Sequence, residues 1–82
     1  LQKIPRGECV AILVERSVEF IAAMLGILKK GCVYVPIDVL YPQKRVEYIL
    51  QDSKAQALIT TTTIRKDLYS SYKGEVLSIN CN

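Results

Sequence analysis

Reactive side chains gather at a few places in this sequence, and each place sets a chemical test. Gly26-Ile-Leu-Lys-Lys-Gly31 has the two-glycine spacing of a phosphate-binding loop. Such a loop needs a Lys after its second Gly and must open a helix, so that backbone N–H groups surround the anion. Here Cys32 stands where Lys is required, and the segment closes a helical pattern instead of opening one. Thr60–Thr63 is a hydroxyl-rich run between a strand pattern and a helix pattern. It holds no Gly that would let the backbone approach a phosphate, and it reads as a strand end followed by a helix cap. Asp38 follows an apolar run at the carboxyl edge of an α/β pattern, where ligands often sit. A receiver-type phosphoacceptor would need a second acidic cluster after the first strand and a downstream Lys, and Glu15 is the one acid near that strand end. Asp38 therefore reads as structural. It lies four residues before Pro42 and seven before Arg45, so its carboxylate is expected to meet a helix N-terminus or to pair with Arg45.

Nucleophilic and metal chemistry find little support. The sequence has no His, which excludes a Ser-His or Cys-His relay within the chain. Its three cysteines, Cys9, Cys32 and Cys81, form no C-x-x-C pair, so a zinc site is not expected. Cys9 and Cys32 each open an apolar run, where Cys acts as a small hydrophobe. This usage suggests a reduced, cytoplasmic setting.

Composition narrows the class. Of 82 residues half are hydrophobic and 23% charged, which excludes a disordered tail or a collagen-like chain. A chain this long can bury roughly 60–65% of the surface its unfolded form exposes. The net charge of +3 is spread along the sequence with no basic stripe, so nucleic-acid binding is not expected. The longest apolar stretch, Phe20–Leu28, is less than half the roughly 20 residues a membrane-spanning helix needs, and no membrane contact is expected. No secretory leader is seen in these residues.

The elements that must position these side chains follow from periodicity. Continuous apolar runs of strand length predict strands near 9–15, 32–36, 56–60 and 75–79. Runs without polar alternation fit strands covered on both faces, as in a parallel sheet. Helices are predicted near 17–30, 42–52 and 62–72. Ser17 caps the first, and Gly31 ends it. On its helical wheel Phe20, Ile21, Met24, Leu25, Ile27 and Leu28 form one broad apolar side, and Gly26 suggests a close approach on the other. Pro42 is placed at N1 of the second helix, with Val46, Ile49 and Leu50 as its stripe. Thr62 or Thr63 would cap the third, carrying Ile64, Leu68 and Tyr72. The order β-α-β-α-β-α-β implies an α/β fold with a parallel sheet. No internal boundary divides residues 1–82. From the residues alone, this is a parallel α/β unit without a visible active site.

One stretch says more. Leu28-Lys-Lys-Gly-Cys-Val-Tyr-Val-Pro-Ile-Asp38 resembles a signature of nonribosomal peptide synthetase adenylation domains, whose usual form is LKAGxAYVPID. Tyr41-Pro42, Arg45, Tyr48, Leu50 and Asp52 continue the family's pattern in register. Upstream, Gly7–Leu13 is similar to its GDxVAIL strand, and Arg16–Ile21 to its RSxExI helix start. The likeness covers roughly residues 7–61 and fades over 62–82. Lys30 replaces the usual Ala, and Cys32-Val33 a small pair. Leu1-Gln2-Lys3 is similar to the end of a helix that precedes this strand in the family, so the chain is expected to be an excised piece of the large N-terminal subdomain.

The resemblance implies a parent that joins an amino acid and ATP into an aminoacyl-adenylate, then loads it on the phosphopantetheine thiol of a carrier protein. It implies ATP, Mg²⁺ and carrier-bound phosphopantetheine for the parent, and none for this chain. The family's Pro-Lys-Gly phosphate loop, amino-acid pocket, ribose-binding Asp and catalytic Lys have no counterpart in 1–82. No catalytic, cofactor or metal residue is therefore assigned. The matched residues Gly31, Tyr34, Pro36, Asp38, Tyr41, Pro42 and Arg45 are expected to be framework. The implied partners are the rest of the domain and the carrier protein, and the isolated chain is expected to self-associate. Two other readings stand beside this one: a piece of an acyl-CoA or aryl-acid ligase, and a self-contained flavodoxin-like binding or regulatory module.

Overall fold

The computed structural model describes residues 4–15, 18–61 and 64–79. The apolar run after Glu8 forms strand β1, Cys9–Leu13. Helix α1, Val18–Lys29, follows, and then strand β2, Val33–Pro36. Helix α2, Gln43–Ser53, leads to strand β3, Ala57–Thr61. A single 3₁₀ turn at Lys66–Tyr69 precedes strand β4, Glu75–Ile79. The four strands lie in the order β2-β1-β3-β4 and every pairing is parallel. Ala11 sits between Val35 and Leu58, so β1 is hydrogen-bonded on both edges.

Period two explains why the strand runs are apolar throughout. Ala11 and Leu13 of β1 and Leu58 of β3 point to one face, where Ile37, Val46, Leu50, Ile64 and Leu68 complete a cluster. Val10, Ile12 and Val14 with Ala57 and Ile59 point to the other, against Ile27 and Cys32. Every residue of β3 is buried. Successive side chains of a strand point to opposite faces, so a strand covered on both has no polar position. The chain moves from β1 to β2 through α1 on one face. It then returns past β1 to β3 through α2 on the opposite face.

Helix α1 ends in a Schellman motif. Gly31 adopts φ +76, its N–H donates to the Leu28 carbonyl at 3.0 Å, and the Cys32 N–H donates to Ile27 at 3.1 Å. This left-handed residue satisfies two terminal carbonyls, and Ile27 and Cys32 then meet in the core. The Gly31 carbonyl also accepts from the Gly7 N–H at 2.8 Å, which fixes the entry to β1.

Four expectations are corrected. The third helix, expected over 62–72, is one 3₁₀ turn among the described residues. Ile64 and Leu68 do enter the core, but Asp67, Tyr69, Ser70 and Ser71 are weak helix formers, and the Tyr72 hydroxyl is held by the Ala55 carbonyl at 2.9 Å. Pro42 is the N-cap of α2, with extended ψ of 158, and is not at N1. The broad apolar side of α1 is split: Phe20, Ala23, Met24 and Ile27 face the sheet, while Ile21, Leu25 and Leu28 face outward. Nothing lies within 4 Å of a Cβ placed on Gly26, so the close approach expected there is not made by this chain's described residues. Ser17, Thr62, Thr63, Cys81 and Leu1–Lys3 lie outside the described residues.

Candidate functional site

The carboxyl ends of β1 and β2 frame an open cleft of about 680 Å³. Glu15 and Phe20 line it from the β1–α1 side, and Pro36, Asp38, Leu40 and Tyr41 from the loop after β2. Pro36 closes β2 at a sheet edge opposite Ile12, where its missing N–H interrupts no ladder between strands. Tyr34, two residues earlier, is half-buried against the α1-side cluster.

Asp38 organises the loop locally. Its Oδ1 accepts a hydrogen bond from the Leu40 N–H at 2.9 Å, and its carbonyl accepts from the Tyr41 N–H at 3.1 Å. The chain thereby turns so that Pro42 can start α2, its carbonyl accepting from the Arg45 and Val46 N–H groups at 3.0 and 3.2 Å. Of the two contacts expected for Asp38, Arg45 or the start of the second helix, the Arg45 pairing is not formed, and the amide that Asp38 meets is that of Leu40, two residues before the N-cap of α2. The Arg45 guanidinium instead lies over the Tyr41 ring, 4.7 Å from its centroid. An exposed carboxylate gains little from a surface ion pair, and a local turn orders fewer side-chain bonds. The stacking went unread in the sequence, although Tyr41 and Arg45 have the four-residue spacing of helix-surface partners.

The remaining candidates are committed to the fold. Thr60 is buried, and its hydroxyl donates to the Leu13 carbonyl at 2.9 Å, tying β3 to the end of β1. Lys29 lies in the last turn of α1, far from any helix N-terminus. Cys9 and Cys32 are free thiols, and the Cys32 Sγ–H reaches the Pro5 carbonyl at 3.5 Å. Among the described residues no group of three or more His, Cys, Asp or Glu side chains is placed to hold a metal. No helix of the described residues is long and apolar enough to cross a membrane. Among the described residues, Glu15 and Asp38 are the charged side chains that line the cleft, and the arrangement positions a loop and a helix.

A parallel sheet with its first crossover on one face and its second on the other, and the Gly31–Arg45 framework at its edge, defines a unit of the adenylate-forming fold. The sequence pattern of the family described as AMP-binding enzyme matches residues 1–79, and the chain belongs to that family. It is 41% identical over 71 residues to gramicidin S synthase 2 of Brevibacillus brevis, covering 87% of this chain and 2% of that protein. It is 39% identical over 72 residues to tyrocidine synthase 1 of Brevibacillus parabrevis (87% and 7%), and 45% identical over 71 residues to surfactin synthase subunit 2 of Bacillus subtilis (87% and 2%). Among solved structures, the nonribosomal peptide synthetase FmoA3 superposes with a TM-score of 0.84 at 31% identity, over 94% of this chain and 8% of that one. The N-terminal subdomain of Klebsiella oxytoca NpsA, solved with 3-hydroxyanthranilyl-AMSN, gives 0.73 at 31% identity, over 94% and 18%. The Bacillus subtilis O-succinylbenzoate coenzyme A synthetase, solved with AMP, gives 0.83 at 19% identity over 94% and 20%, a likeness of fold alone. The chain thus spans 2–7% of the length of these curated relatives.

Proposed function

We propose that residues 1–82 form, without an internal boundary, the opening parallel-sheet unit of the N-terminal subdomain of a nonribosomal peptide synthetase adenylation domain. The longer protein activates an amino acid with ATP and passes it to a carrier-bound phosphopantetheine thiol. The observation that carries this reading is the 39–45% identity to peptide synthetases over nearly nine-tenths of the chain. The role of this unit is framework: it holds a sheet edge, a Schellman-capped helix and the Asp38 turn at fixed positions.

Adenylate formation brings a carboxylate oxygen in line with the α-phosphorus of ATP, forming one P–O bond as the bond to pyrophosphate breaks. Charge on the phosphate oxygens then needs fixed cationic donors and Mg²⁺ in one cleft. In this reading the active site, ATP and Mg²⁺ lie elsewhere in the longer protein, and the cleft at Glu15 and Asp38 is part of the framework. The working compartment in this reading is the cytoplasm. The rest of the domain and a carrier protein are the partners, and the isolated chain self-associates through the surfaces they would cover.

The test is amino-acid-dependent exchange of pyrophosphate into ATP. The longer protein is expected to catalyse it, and residues 1–82 to show none above blank. Exchange by the purified 82-residue chain would overturn the assignment of the active site. A second reading, a piece of an aryl-acid ligase, is favoured by the likeness to NpsA with its aryl-adenylate analogue. Exchange driven by aryl acids and by no amino acid would select it.

A further inference from the structure

We draw no further inference here: the strongest candidate, the open cleft that Phe20, Leu40 and Tyr41 line at the carboxyl ends of β1 and β2, is an apolar surface with nothing in the structure to show what covers it.

Discussion

At the residue scale, backbone conformation and single hydrogen bonds decide the outcome. Gly31 sits at φ +76 with the Arg6 guanidinium 2.8 Å from where a Cβ would stand. Gly31→Ala is therefore expected to lower stability by roughly 1–2 kcal/mol, the cost of a left-handed L-residue, with Arg6 displaced. Urea denaturation measures it, and an unchanged midpoint would mean that the helix ends elsewhere. Tyr72 offers a pH-dependent counterpart. Burial first, and the Glu75 charge second, raise its phenol above the ordinary value of 10.0. The folded state thus holds this proton more tightly than the unfolded chain does. The resulting stability is fully present below pH 10 and is lost as pH climbs toward the raised folded value. Tyr72→Phe should cost about 1 kcal/mol at neutral pH by removing the bond to the Ala55 carbonyl. It should also flatten the alkaline fall in stability, and a fall as steep as the parent's would assign it to another group.

At the scale of elements, the sheet carries the stability. Leu58 lies in the middle of β3 with no exposed surface, and Leu58→Ala should cost about 2–5 kcal/mol. The total for a chain of this length is only roughly 4–12 kcal/mol, so loss of the cooperative thermal transition is within reach. A loss below about 1 kcal/mol would place Leu58 outside the core. The strands were legible in the sequence because two-sided burial leaves an unbroken apolar run, as in Cys9–Leu13 and Ala57–Thr61. The third helix was not, because Ile64, Leu68 and Tyr72 at spacing four fit one tight turn with an anchored tyrosine as well as they fit a helix. The orientation of α1 was hidden for a related reason. Its wheel is apolar over most of its circumference, so pattern alone cannot tell the sheet-facing Phe20–Ile27 side from the outward Ile21–Leu28 side. Of the framework residues, Gly31 was legible from its place after two lysines. Asp38 was not, since an exposed carboxylate chooses among nearby amides and cations by small differences.

At the scale of the whole molecule, the described chain is a slab with principal extents of 30, 29 and 16 Å. Such a shape leaves much of its surface near the faces and edges of one sheet. Among the described residues strands β2 and β4 each pair on one side only, and in β4 Val76 and Ser78 are exposed on one face while Leu77 and Ile79 are partly buried on the other. Open edges and the outward face of α1 favour association. Light scattering of the isolated chain is expected to show a mass that rises with concentration, and a constant 9.2 kDa would argue that these surfaces stay bare.

The position of β1 has a consequence in time. It is the middle of the sheet, yet it is made first: Leu13 leaves the ribosome 47 residues before Thr60, its register partner in β3. At the usual pace of synthesis that is roughly 2–10 s during which Cys9–Leu13 is a bare apolar strand with one future neighbour or none. The segment has no charge and no Pro, the composition of a strand that finds wrong partners while it waits. The nascent chain should thus be a client for holding factors until β3 emerges, and a version ending at Ser53 should stay one.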